Sequence, residues 1–123
     1  MIEEGFELYI KGKTPRTPWP RVSILKRGAI SFNEAAFGAL GSPKAVQLLF
    51  NRTEQLVGIR PCDPSHPSAH SVRSQAGARS YVVGCQGFLQ FCGIKTDVSR
   101  RYRGRLQGSM LEVDLKQAED DGE

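Results

Sequence analysis

The hydrophobic positions of this chain fall in short runs separated by glycine, proline and polar clusters. Val22-Ser23-Ile24-Leu25 and Ala29-Ile30-Ser31-Phe32 read as two strands around the turn Lys26-Arg27-Gly28, with Ile30 and Phe32 on one face. Asn33 is a good helix N-cap, and Glu34 brings negative charge into the first turn. A short helix is therefore predicted over 34–40, with Ala36, Phe37 and Leu40 as its apolar stripe. Gly41 suits the position after a helix, and Pro43 blocks continuation. Ala45 to Phe50 and Gln55 to Arg60 flank the polar Asn51-Arg52-Thr53-Glu54, which predicts a β-hairpin.

From Pro61 to Ser80 the chain turns rich in Ser, Pro, Ala and Gly and poor in large apolar residues. It reads as a linker between halves or an arm on the surface. Beyond it the earlier order returns. Tyr81-Val82-Val83 predicts a strand, Cys85 to Cys92 a helix ending at Gly93, and Arg101 to Leu106 with Met110 to Leu115 a second hairpin. Ala36-Phe37…Leu40-Gly41 superposes on Phe88-Leu89…Cys92-Gly93, which predicts two degenerate strand–helix–hairpin copies. The expected organisation is an N-terminal strand (Phe6 to Ile10) and basic arm over 1–20, a first unit over 21–61 and a Ser/Pro-rich linker over 62–80. A second unit over 81–115 and an acidic, disordered tail over 116–123 complete it. The fold class is α+β and β-rich.

Composition narrows the function. With 123 residues, 13 Gly and 7 Pro, the chain suits short elements and many turns rather than a helical bundle or a large cofactor enzyme. No apolar run approaches the roughly 18–20 residues of a membrane helix. Met1-Ile2-Glu3-Glu4 is acidic where a secretory signal is basic, so a cytoplasmic protein without membrane contact is expected. The three cysteines are an odd number, in keeping with reduced thiols. Cys85 and Cys92 share a helical stripe with Phe88 and Leu89 and are expected in the core. Cys62, His66 and His70 are spaced by four beside Asp63, but Pro61, Pro64 and Pro67 deny that row a helix, so no metal site is assigned. No phosphate loop, HExxH or GxSxG is present, so neither a cofactor nor catalysis is expected.

Charge adds the sharpest cue. Residues 1–10 carry three acids and no base, and 111–123 carry six acids and one lysine. Of the 17 bases, all but Lys116 lie between, against four acids. Lys11, Lys13, Arg16, Arg21, Lys26 and Arg27 form one cluster, and Arg100, Arg101, Arg103 and Arg105 form another. Alternation along a strand puts Arg101, Arg103 and Arg105 on one face, which is hard to bury. Such guanidinium arrays suit phosphate, and these ten residues are the candidate nucleic-acid contacts. The acidic tail is placed to compete with an anionic ligand for that surface. Trp19, between Pro18 and Pro20, either covers the edge of its own core or stacks on a partner.

The run Val22-x-Ile24-x-Lys26-x-Gly28-x-Ile30-Ser31-Phe32-Asn33-Glu34-x-Ala36-x-x-Ala39-Leu40-Gly41, with the hairpin to Ile59-Arg60-Pro61, resembles the AbrB/MazE/SpoVT family of swapped-hairpin DNA-binding domains. The resemblance covers 22–61, and a second copy at 81–115 resembles the tandem arrangement of MraZ proteins. It implies a small barrel in which two copies interleave hairpins, a homodimer, and a transcriptional regulator or antitoxin that binds duplex DNA. Interleaving would bury Ile24, Ile30, Phe32, Phe37, Leu40, Leu48, Phe50, Val57 and Ile59. The family usually has Pro where Asn33 stands, often Arg where Phe37 stands, and Gly-Asp where Ser42-Pro43-Lys44-Ala45 stands. Those departures support a second expectation, a homo-oligomeric assembly module without nucleic acid, with the 61–80 loop as a site for a protein partner.

Overall fold

The structure, a computed structural model, describes Gly5 and residues 18–75 and 80–119. Two antiparallel strands come first, β1 (Arg21–Leu25) and β2 (Ala29–Asn33), then helix α1 (Glu34–Ala39) and the hairpin β3 (Ala45–Asn51) and β4 (Leu56–Pro61). Two very short strands follow, β5 (His70–Ser71) and β6 (Arg73–Ser74). Then come β7 (Ser80–Gly84), α2 (Gln86–Cys92), β8 (Arg100–Gln107) and β9 (Met110–Ala118).

All these strands join one antiparallel sheet in the order β5-β3-β4-β9-β8-β1-β2-β7-β6. The two ends of that order are neighbours in the chain. β5 pairs with β3, β6 pairs with β7, and only Val72 lies between them. The Val72 amide donates to the Lys44 carbonyl at 2.9 Å. Residues 70–74 thus bring the sheet's edges together, and the sheet is a nearly closed barrel. This corrects the reading of 62–80 as a linker. Residues 62–75 are polar because their side chains are mostly exposed, yet the backbone of 70–71 and of 73–74 is spent on two ladders.

Strands distant along the chain pair with each other: β2 with β7, through Ile30↔Val83, and β4 with β9, through Val57↔Val113. β1 lies between β2 and β8, as the 70–74 segment lies between β7 and β3.

Alternation along each strand fills the interior. Val22 and Ile24, Ile30 and Phe32, Val57 and Ile59, Leu111 and Val113 all point inward and are at most 3% exposed. Leu89 of α2 and Ala36 of α1 cap this core. No polar or charged residue is buried among the described residues. Phe37, Leu48 and Phe50 are only half-buried, because they pack at the rim. There Phe37 stacks on Tyr81, with ring centroids 3.7 Å apart.

The helix signals act as the sequence suggested. Asn33 Oδ1 accepts from the Ala36 amide at 2.9 Å, and Gly41 and Gly93 take positive φ after α1 and α2. The first expected strand, Phe6 to Ile10, lies outside the described residues. β9 runs on to Ala118, so 116–118 are strand rather than tail.

β8 carries an irregularity between Tyr102 and Gly104 where it meets β9. A Cβ on Gly104 would lie 3.0 Å from Leu111 Cγ, and Leu111 is fully buried with no space to retreat. A Cβ on Gly58 would instead meet the sulfur of the half-buried, flexible Met110. Gly104→Ala should destabilise by about 1–3 kcal/mol in urea unfolding, and Gly58→Ala by clearly less. Equal losses would contradict this account of the packing.

Candidate nucleic-acid interface

β8 has the burial alternation that its sequence demands. Tyr102 and Gly104 face inward, while Arg101, Arg103 and Arg105 are exposed on the outer face. Burial holds the Tyr102 phenol above its ordinary pKa. β8 pairs with β1, which sets Arg103 directly opposite Arg21 and Arg101 opposite Ser23. Like charges in register repel, and two neighbours relieve this pair. Arg21 Nε donates to Glu119 Oε2 at 2.9 Å. The Arg103 guanidinium lies over the Trp19 ring, 5.0 Å from its centroid, and Trp19 Nε1 donates to Glu119 Oε1 at 3.1 Å. Trp19 thus serves its own fold, as the platform of an Arg–Trp–Glu–Arg cluster on the barrel surface.

Asn33 ties this cluster to α1. Its Oδ1 accepts from the Arg21 amide at 2.9 Å as well as from Ala36, and its Nδ2 donates to the Trp19 carbonyl at 3.0 Å. One side chain therefore caps a helix, receives the first amide of β1 and holds the segment before it.

The cations divide into two groups. Some are engaged: Arg105 faces Glu112 at 3.8 Å, Lys116 pairs with Asp114 at 3.0 Å, and Arg60 donates to Gln47 at 2.8 Å. The Asp114 carboxyl is held below its ordinary pKa by hydrogen bonds from the Lys116 backbone and side chain. Arg52 lies against both Phe50 and Phe91 and donates to the Phe91 carbonyl. Others are not: Lys26, Arg27, Arg73 and Arg100 make no ion pair among the described residues. These four gather around one end of the barrel. The Lys26 amide donates to Ser99 Oγ at 2.8 Å, next to Arg100, and Arg27 and Arg73 line a common pocket.

Of the ten candidate contacts, seven are described. Arg21, Arg101, Arg103 and Arg105 lie on the β1–β8 face, and Lys26, Arg27 and Arg100 lie at its end. Lys11, Lys13 and Arg16 fall outside the described residues. Arg73 and Glu119 were missed. Arg73 was hidden in the apparent linker, although a second copy of the unit lacked a counterpart of β1 and so called for a strand before Tyr81. Glu119 was assigned to a disordered tail, yet it occupies the cluster on Arg21.

The Cys62–His66–His70 row does not converge. Asp63 accepts from the Ser65 hydroxyl and amide, which lower its carboxyl pKa, and the His66 Nδ1 accepts from the Ser68 amide. No group of three or more metal-ligating side chains is found among the described residues. Cys85 and Cys92 are 5% and 6% exposed, and burial pushes both thiols up to about 11. Among the described residues, no helix is long and apolar enough to cross a membrane. No protein-family model matches the chain, and neither a curated protein nor a solved structure does.

Asn33→Ala should cost about 1–3 kcal/mol in chemical unfolding, since it leaves two amides and a carbonyl without partners. Asn33→Asp keeps both acceptor bonds and should lose clearly less. In the native protein one thiol, Cys62, should react rapidly with a disulfide reagent, and two more only after denaturant is added. The folded chain keeps the protons of Cys85 and Cys92 where the unfolded chain loses them. Stability should therefore fall as pH rises from about 9 toward about 11. The fall should be clearly smaller in a Cys85→Ala/Cys92→Ala variant that still folds, where the buried Tyr102 phenol still contributes.

Proposed function

We propose that this protein is a small cytoplasmic DNA-binding regulator that grips the phosphate backbone through the outer face of β8 and the turn between β1 and β2. The observation that carries the reading is the alternation on β8. Three arginines on one face of β8 point to solvent from the barrel wall, beside Lys26, Arg27 and Arg100, which make no ion pair among the described residues. A strand holds the three Cα positions at a fixed spacing, so only the arginine side chains have to be ordered on binding phosphate. Glu119 and Trp19 orient Arg21 and Arg103 without burying them, which leaves guanidinium edges for a bidentate contact.

The AbrB-like reading belongs to this proposal. The pairing of β2 with β7 and of β4 with β9 is what two interleaved strand–helix–hairpin units require. A single chain then supplies what a swapped dimer supplies with two. A homodimer would not be needed to bury the core, and would act by doubling the basic face. The helix arginine common in that family is replaced by Phe37, which stacks on Tyr81, so the strand arginines carry the contact here.

Fluorescence anisotropy with duplex DNA across a salt series tests this. Micromolar or tighter binding at low salt, falling steeply as salt rises, is expected. Arg101→Ala/Arg103→Ala should lower the log–log salt slope by about two and Arg27→Ala by about one. A folded protein that shows no binding at low salt would sink the proposal in favour of an assembly module.

A further inference from the structure

The pocket shared by Arg27 and Arg73 lies away from the β8 face. It spans the outer surface of β2, β7 and β6 and has a volume of about 530 Å3. Ile30, Phe32 and Val83 point into the core, so alternation turns Ala29, Val82 and Gly84 outward. Ala29 and Val82 are nevertheless only 5% and 6% exposed and lie outside the core cluster. They form an apolar floor outside the barrel. Arg73, the register partner of Val82, stands at one side, and Arg27 approaches from the β1–β2 turn. Ser74 and Gln75 add polar groups to the rim. A Cβ on Gly84 would meet nothing within 4 Å, so that wall is open backbone.

We propose that this pocket binds a small phosphate ester carrying a flat apolar group, with Arg27 and Arg73 as the phosphate clamp and Ala29 and Val82 under the ring. Two guanidiniums without ion pairs among the described residues suit an anion, and their planar forks match phosphate oxygens. The apolar floor distinguishes this site from a contact to inorganic phosphate or bare backbone. Its volume lies in the range of about 300–1,000 Å3 that holds ligands of this size. The site does not depend on DNA binding, although Arg27 belongs to both surfaces.

Isothermal titration calorimetry of the whole chain with AMP, adenosine and inorganic phosphate separates the parts. AMP should bind with one site per chain, and adenosine and phosphate should each bind more weakly. Arg73→Ala should weaken AMP binding by roughly tenfold or more, and Arg73→Lys by less, since it keeps the charge and loses the fork. Gly84→Leu should block AMP without removing a charge, with folding checked by circular dichroism. Arg101→Ala/Arg103→Ala should leave AMP binding unchanged while weakening DNA. The proposal is overturned if AMP fails to bind wild type, if Arg73→Ala binds it normally, or if the β8 double variant loses it equally. Loss of DNA binding in Arg73→Ala, without AMP binding by wild type, would make the pocket a backbone contact only.

Discussion

Every other feature depends on how residues 70–74 use their backbone. An open antiparallel sheet of this curvature would expose two edges, each a row of unpaired amides and carbonyls. Here one short segment covers part of each, two residues on β3 and then two on β7, with the Val72 amide bonded to Lys44 between them. The interior can then be wholly apolar, because no edge group has to be carried inside. The same arrangement sends the charged side chains outward and holds them at strand spacing.

The outer surface shows how a basic protein tolerates its own charge. Arg21 and Arg103 are register partners, a placement that costs energy unless something intervenes. Glu119 supplies opposite charge and Trp19 a polarisable face, and Asn33 ties the backbone of Trp19 and Arg21 to the start of α1. The terminal acids and the basic body, which look like separate blocks along the sequence, meet at this point.

Local signals were legible wherever one short stretch decided the outcome. The cap at Asn33, the stops at Gly41 and Gly93, both hairpins and the inward-facing valines and isoleucines could be read from spacing and residue type. The outward row of arginines on β8 was legible for the same reason: period-two alternation admits only one arrangement with Tyr102 inside. The 70–74 strand was not, because its stability comes from backbone bonds to β3 and β7, and backbone bonding leaves little trace in side-chain polarity. Arg73 was lost with it, and with Arg73 the pocket. Glu119 was misplaced because its partners, Arg21 and Trp19, lie at the other end of the chain.

The strand order also dictates when the molecule can exist as such. β9, the last of the described strands along the chain, lies between β4 and β8, and β8 alone connects it to β1. Until residues 100–118 are available, the first hairpin and the β1–β2 pair are joined only through the short 70–74 segment and β7. A nascent chain therefore carries half a core exposed until β8 and β9 are made. The pairing of Arg21 with Arg103 and of Leu56 with Asp114 gives the chain a high contact order, and such topologies fold slowly. Folding of the barrel waits on residues 100–118, and until they are made the burden of keeping the early half soluble falls on its charges and its prolines.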